Sequence, residues 1–203
     1  MALNYLFDKT HAKLRDNINV LPMLKEVATQ WDDFYIDTGR QDTIECQKET
    51  MSINLVMADV TTKDVSETNA TKETEAYDRY PRIKEFMHWF EETYGGLIFR
   101  IAIVHLPPDG KVHPHIDAGS YYYDKDRFHL VLSGYYDMIV DDKSELFSAG
   151  ELWWFNNKKM HDVKNASPVP RICIIFDVYN SKKARLETGR REYSSKRIDK
   201  GIQ

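Results

Sequence analysis

The sequence has little of what marks several common protein classes. It holds only two cysteines in 203 residues, Cys46 and Cys173, far apart and in different contexts. Cys173 lies in the apolar run RICIIFDVY and is expected as a buried thiol rather than half of a bridge, so a reducing, cytoplasmic compartment is expected. No apolar run approaches membrane-spanning length. The opening MALNYLFDKTHAKLRD lacks a sustained apolar core and is charged by its eighth residue, so it is not expected to be a signal peptide. An excess of one charge is missing too: 28 basic against 32 acidic residues leave a net charge of -4, with no global pull toward nucleic acid or anionic membrane. There is no internal repeat, and no strand–helix alternation of the kind that builds a parallel α/β sheet.

What is present reads as one soluble globular domain, 42% hydrophobic and 30% charged. In the first half, VLPMLKEVATQW predicts a short helix after Pro22 and SINLVMADV a strand, while the polar TTKDVSETNATKETEAYD predicts an exposed loop. YPRIKEFMHWFEETYGG reads as a helix begun at Pro81, with Ile83, Phe86, Met87 and Phe90 on one face and Gly95-Gly96 ending it. From Leu97 the period changes to two. LIFRIAIVHL, FHLVL, YDMIV, SELF, ELWWF, HDV and RICIIFDVY follow at short intervals, separated by Gly-, Asp- or Asn-containing turns. The expected fold is mainly β with flanking helices: a sandwich, barrel or jelly-roll core over residues 97–180, a helical and mixed segment 1–96 packed on it, and a basic tail 181–203.

The chemistry is carried by HPHIDAG, His113 to Gly119. Side chains at i and i+2 of a strand share a face, so either His113 with His115 or His115 with Asp117 can form a pair. Downstream, FNNKKMHDV places His161 after a turn, at the start of another strand. Two histidines and a carboxylate can cap one face of an octahedron and leave three positions open, a set that suits ferrous iron with a chelating cosubstrate and oxygen. His115, Asp117 and His161 are therefore the candidate metal ligands, with His113 turned to solvent or supporting the site. The pattern taken alone is weak, and surface or hydrogen-bonded histidines are its ordinary alternative. His11, His88 and His105 lack an acidic or histidine neighbour at strand spacing and are assigned to packing.

Two arginines add to the pattern. Arg171 opens an otherwise apolar strand whose alternation puts it with Cys173 and Ile175, and Ile172, Ile174 and Phe176 on the other face. With both faces covered, its guanidinium needs an anion, and a dicarboxylate with its near end on iron meets that need. The alternative is an exposed terminal arginine. In DRFHLVL, Arg127 and His129 share a face and imply an anion between them; the alternative is a solvent-reaching arginine and a satisfied core histidine. Together the placements converge on iron plus 2-oxoglutarate.

The segments LPPDGKVHPHIDAGSYYYDKDRFHLVL and GELWWFNNKKMHDVKNASPVPRICIIFDVY resemble the aspartyl/asparaginyl β-hydroxylase family of iron(II)- and 2-oxoglutarate-dependent oxygenases, in order and spacing. The resemblance spans roughly residues 97–180 and implies a double-stranded β-helix. It makes His115 and His161 iron(II) ligands, and gives Arg171 the distal carboxylate of 2-oxoglutarate and Arg127 and His129 its iron-proximal end. Succinate and carbon dioxide would be the coproducts with O2 as oxidant. The best-known members carry glycine where Asp117 stands, so here the full facial triad of the wider superfamily is restored. A serine that helps seat 2-oxoglutarate in some members would fall near Val104, where no hydroxyl occurs.

The expected substrate is an amino-acid side chain, in a protein or peptide or as a free amino acid. The same chemistry on a nucleobase or small metabolite is the first alternative, and a non-catalytic jelly-roll binding module the second. GSYYYDKD is a natural wall or lid; its alternative is an aromatic loop packed on the N-terminal helices. Trp153 and Trp154 must face opposite ways, one into the core and the other to the surface or the site. Asn156 and Asn157 are expected to shape the turn before His161. The tail after Asn180 carries eight basic against three acidic residues, expected as a solvated, partly helical or frayed segment, with a contact to nucleic acid or an acidic partner the less favoured reading.

Overall fold

The computed structural model describes residues 9–59 and 66–180. Its elements run β1 (His11–Arg15), α1 (Leu21–Thr29), α2 (Gly39–Thr43), β2 (Met51–Ala58), β3 (Thr71–Glu73), α3 (Pro81–Tyr94) and β4 (Leu97–Leu106). They continue with β5 (Lys111–His115), α4 (Ser120–Tyr123), β6 (Lys125–Ser133), β7 (Tyr135–Val140), β8 (Lys143–Ser148), β9 (Leu152–Phe155), β10 (His161–Asn165) and β11 (Arg171–Tyr179). The basic tail lies outside the described residues. Among the described residues no helix is long and apolar enough to cross a membrane.

The strands form a seven-stranded sheet, ordered β1-β9-β6-β11-β4-β2-β3, and a four-stranded sheet, ordered β5-β10-β7-β8. Every pairing is antiparallel. From β4 to β11 the chain passes repeatedly between the two sheets, giving each four of these eight strands. That winding is the double-stranded β-helix, or jelly roll. Between the sheets lies a core of Leu106, Val131, Tyr136, Met138, Phe147 and Phe155 with their neighbours.

The other face of the large sheet is covered by helices. In α3, Ile83, Phe86, Met87 and Phe90 recur at three- and four-residue spacing and are all buried. Pro81 opens the helix and Gly95, at φ 70°, closes it. Phe90 sits 5.0 Å from Phe128 and 4.9 Å from Phe176, ring to ring, so β6 and β11 give this layer their outward side chains. On β11 the alternation is as expected: Ile172, Ile174 and Phe176 join the helix-facing core, while Cys173 packs with Val104 and Ala102 inside.

The N-terminal half does more than cover the core. β1 pairs with β9 at one edge of the large sheet, and β2 pairs with β4 at the other. Two expectations are corrected here. The polar stretch expected as an exposed loop contains β3, which adds to the edge of β2, and a 3-10 turn over Glu75–Arg79 with Tyr77 buried. Its residues 61–65 lie outside the described set. Trp153 and Trp154 do face opposite ways, yet both are core: Trp154 joins the helix-facing cluster, and Trp153 stacks on Phe147 at 4.3 Å between the sheets. Both faces of β9 are covered, one by the helix layer and the other by the small sheet, so all four of its residues are buried.

Candidate metal centre

His115 ends β5 and His161 begins β10, and the two are direct partners in that antiparallel pair. Their rings stand 4.2 Å apart, centroid to centroid. Asp117 follows two residues after β5, where its backbone N–H donates to the Asn157 carbonyl at 3.0 Å. One ligand atom from each of His115, Asp117 and His161 lies within 4.8 Å of the others, so this cluster can hold a metal ion. His113 points elsewhere: its ring faces Glu49 at 3.6 Å, and its carbonyl accepts from Nδ1 of His115 at 2.8 Å.

Both ligand rings are oriented by backbone. A carbonyl can only accept, so Nδ1 of His115 and Nδ1 of His161, the latter 2.9 Å from the Lys159 carbonyl, must carry their protons. With Nδ1 committed to the backbone, Nε2 is the nitrogen each ring can offer to a metal. Burial, against the attraction of Asp117, lowers the pKa of His161 to about 4 and keeps it uncharged near neutrality. Burial pushes Asp117 up, but the Arg127 charge, His161 and the Asn157 hydrogen bond outweigh it and hold the carboxyl below its usual range. The cluster therefore presents an uncharged His161, a carboxylate at Asp117 and the Nε2 edge of His115.

Arg171 points inward. It is 1% exposed, its guanidinium lies 4.4 Å over the Tyr136 ring, and its Nε and Nη2 have no hydrogen-bond partner among the described residues. It lines one cavity with His115, His161, Arg127 and His129. Arg127 and His129 share a face as expected, but the anion expected between them is not needed to satisfy them. Arg127 is held by Asp177 and Asp117, and His129 Nδ1 lies 2.7 Å from the Tyr136 hydroxyl.

The family model for aspartyl/asparaginyl β-hydroxylases matches residues 7–181. The chain belongs to this family. It is thus a hydroxylase-type enzyme, and the family match extends over the N-terminal half that builds β1, β2 and α3 as well as over the jelly roll. No curated protein matches the sequence. Among solved structures, the chain is similar to a cupin-superfamily sugar phosphate isomerase from Silicibacter pomeroyi, at 13% identity and TM-score 0.38, over 71% of this chain and 68% of that one. It is also similar to the cupin domain of an XRE-family transcriptional regulator from Enterobacter cloacae, at 18% identity and TM-score 0.35, over 44% of this chain and 87% of that one. A predicted oxalate decarboxylase from Thermotoga maritima shows 18% identity and TM-score 0.35, over 47% of this chain and 73% of that one.

In this β-hydroxylase family member, three residues at the site escaped the sequence reading. Asn157, read as a turn former, donates Nδ2–H to Asp117 Oδ2 at 2.8 Å. Asp177 interrupts the apolar β11 directly opposite Arg127 in the strand register, and that pairing of opposite charges was the available signal. Tyr136 gave none, since one tyrosine in a β-run is ordinary. The tyrosine run divides by role: Tyr121 is fully buried and donates to Asp177 at 3.1 Å, Tyr122 sits 5.1 Å from the Arg127 guanidinium, and Tyr123 is 52% exposed.

Proposed function

We propose that the protein is an iron(II)- and 2-oxoglutarate-dependent hydroxylase acting on an amino-acid side chain of aspartyl or asparaginyl type, in a peptide or as a free amino acid. The single observation that carries this reading is one cavity lined both by the two histidines of the His115–Asp117–His161 cluster and by a buried arginine that has unsatisfied donors. His115, Asp117 and His161 are the residues that would hold the metal, a donor set suited to ferrous iron with open positions. Arg171 would receive the far carboxylate of 2-oxoglutarate. Buried donors left without acceptors are costly, and a carboxylate would satisfy Nε and Nη2 together.

When bound, iron and 2-oxoglutarate supply the oxidation: one oxygen atom of O2 enters succinate, carbon dioxide leaves, and the other oxygen atom becomes the new hydroxyl. The chain's own part is to bind and orient. His113 and Lys159 carbonyls hold the imidazoles by Nδ1, and the apolar walls Val104, Met138, Phe155 and Val163 limit water around the reacting centre. Substrate selection falls to the loops around the mouth, where Ile116 and Tyr123 are exposed beside the cluster-bearing segment.

The test is succinate formation from 2-oxoglutarate under oxygen, with and without added iron(II), in wild type and His115→Ala. Iron-dependent succinate that disappears in the variant is the expected result. Absence of turnover in the wild type with every divalent metal would favour a binding module. A mass gain of one oxygen atom in peptide, amino-acid or oligonucleotide pools would then identify the substrate class.

A further inference from the structure

The guanidinium of Arg127 is divided between two carboxylates. Nε donates to Asp177 Oδ1 at 2.8 Å and Nη2 to Asp177 Oδ2 at 2.9 Å, a two-pronged fork. The remaining edge points at Asp117, with Nη1 2.6 Å from Oδ2. Asn157 Nδ2 donates to that same Oδ2 at 2.8 Å. Both side-chain hydrogen bonds to Asp117 therefore fall on one oxygen. The other, Oδ1, stands 3.9 Å from Nε2 of His115.

The strand register explains the fork. Asp177 of β11 lies directly opposite Arg127 of β6, so a short acid meets the guanidinium side on, and Tyr121 fixes the acid further by donating to Oδ2 at 3.1 Å. Paired by two parallel bonds, the planar guanidinium cannot rotate without breaking both, and its third edge is aimed. A lysine at this position would present a point charge with no such direction. Asp177 and Arg127 are 2% and 7% exposed, so solvent does not loosen the arrangement. Two carboxylates with one guanidinium also leave this cluster one negative charge, which favours a cation beside it.

From this geometry we infer that Arg127 is a positioning residue for Asp117: the Asp177–Arg127 fork, together with Asn157, occupies Oδ2 so that Oδ1 alone is presented to the metal beside His115 and His161. The inference rests on the metal-centre reading above and departs from the role that family resemblance gives Arg127, contact with the cosubstrate. It also ties the feature that sets this chain apart, a carboxylate at position 117, to the acid on β11 that makes the carboxylate usable.

The test is anaerobic titration with cobalt(II), followed by visible absorption, with no 2-oxoglutarate present. Wild type, Arg127→Lys, Asp177→Asn and the double variant are compared, with circular dichroism and Tm recorded for each. The wild type is expected to bind one equivalent. Each single variant should bind on the order of 10- to 100-fold more weakly, as losses around metal ligands do, with an altered cobalt band. In the double variant the losses should not multiply, because Asp177 acts through Arg127. Asn157→Ala, which removes the other bond to Oδ2, carries the same expectation if a change in the buried pair prevents folding. Wild-type cobalt affinity in folded Arg127→Lys, Asp177→Asn and Asn157→Ala would overturn the inference and leave the metal centre standing. Failure of the wild type to bind cobalt at all would overturn both.

Discussion

His115 and His161 are cross-strand partners, and that relationship places two imidazoles 4.2 Å apart although 45 residues separate them in sequence. Nothing local links the end of β5 to the start of β10; the antiparallel ladder does. Replacing either histidine by alanine should leave the ladder intact, since backbone hydrogen bonds carry it. Metal retention after dialysis, measured by elemental analysis, should fall to background in both variants, and iron-dependent succinate formation should fall by about 100-fold or more. Full metal occupancy in His161→Ala would contradict the assignment.

Arg171 offers a separable prediction. Its unsatisfied Nε and Nη2 are expected to bind the far carboxylate of 2-oxoglutarate. Arg171→Lys keeps the charge but loses the planar fork, so KM for 2-oxoglutarate should rise by roughly 10- to 100-fold, as expected for loss of one to two charge-assisted hydrogen bonds. Cobalt affinity without cosubstrate should stay at the wild-type value. A variant with unchanged KM would remove Arg171 from the site.

Gly119 sits at φ +115°, and a Cβ there would lie 2.5 Å from the Ser66 carbonyl oxygen. The close approach comes from docking of the 66–70 segment on α4, where Tyr121 N–H donates to Ser66 O at 2.9 Å and Ser120 N–H to Glu67 at 3.1 Å. Gly119→Ala must displace this contact in a backbone region that disfavours a side chain. A loss of about 1–3 kcal/mol is expected in denaturant unfolding, with weaker metal binding because Asp117 is only two residues away. An unaltered melt would show that the two segments separate freely.

Phe90 joins α3 to β6 and β11 through ring contacts at 4.9 and 5.0 Å, and it is fully buried. Phe90→Ala should cost about 3–5 kcal/mol of stability, from lost burial and the cavity left behind. Metal affinity in the folded fraction should be unaffected, because the helix layer lies on the face of the large sheet away from the cavity.

His11 bears on acid stability. Burial, partly offset by a backbone hydrogen bond, lowers its pKa from 6.5 to about 4. A depressed folded-state value means that its contribution to stability is fully present above pH 6.5 and is lost as pH falls toward 4, since the unfolded chain takes up the proton first. His161 titrates in the same window, so the comparison of interest is wild type against His11→Gln. The variant's Tm should fall less steeply between pH 6.5 and 4. Identical slopes would refute the assignment.

The sequence alone determined which side chains share a face and where periodic elements lie. Alternation along RICIIFDVY put Arg171 with Cys173 and away from Ile172 and Ile174, and the spacing of Ile83, Phe86 and Phe90 defined the buried stripe of α3. These are properties of three to ten neighbouring residues, set by the pleat and the helical turn. Tertiary structure alone decided which strands lie side by side. It brought β1 and β2 into the large sheet, buried Trp153 as well as Trp154, and set Asp177 opposite Arg127. It also turned Asn157 from a turn residue into a donor to Asp117. Cross-strand partnership follows from how many times the chain crosses between sheets and in what register it returns, and no local pattern encodes that count.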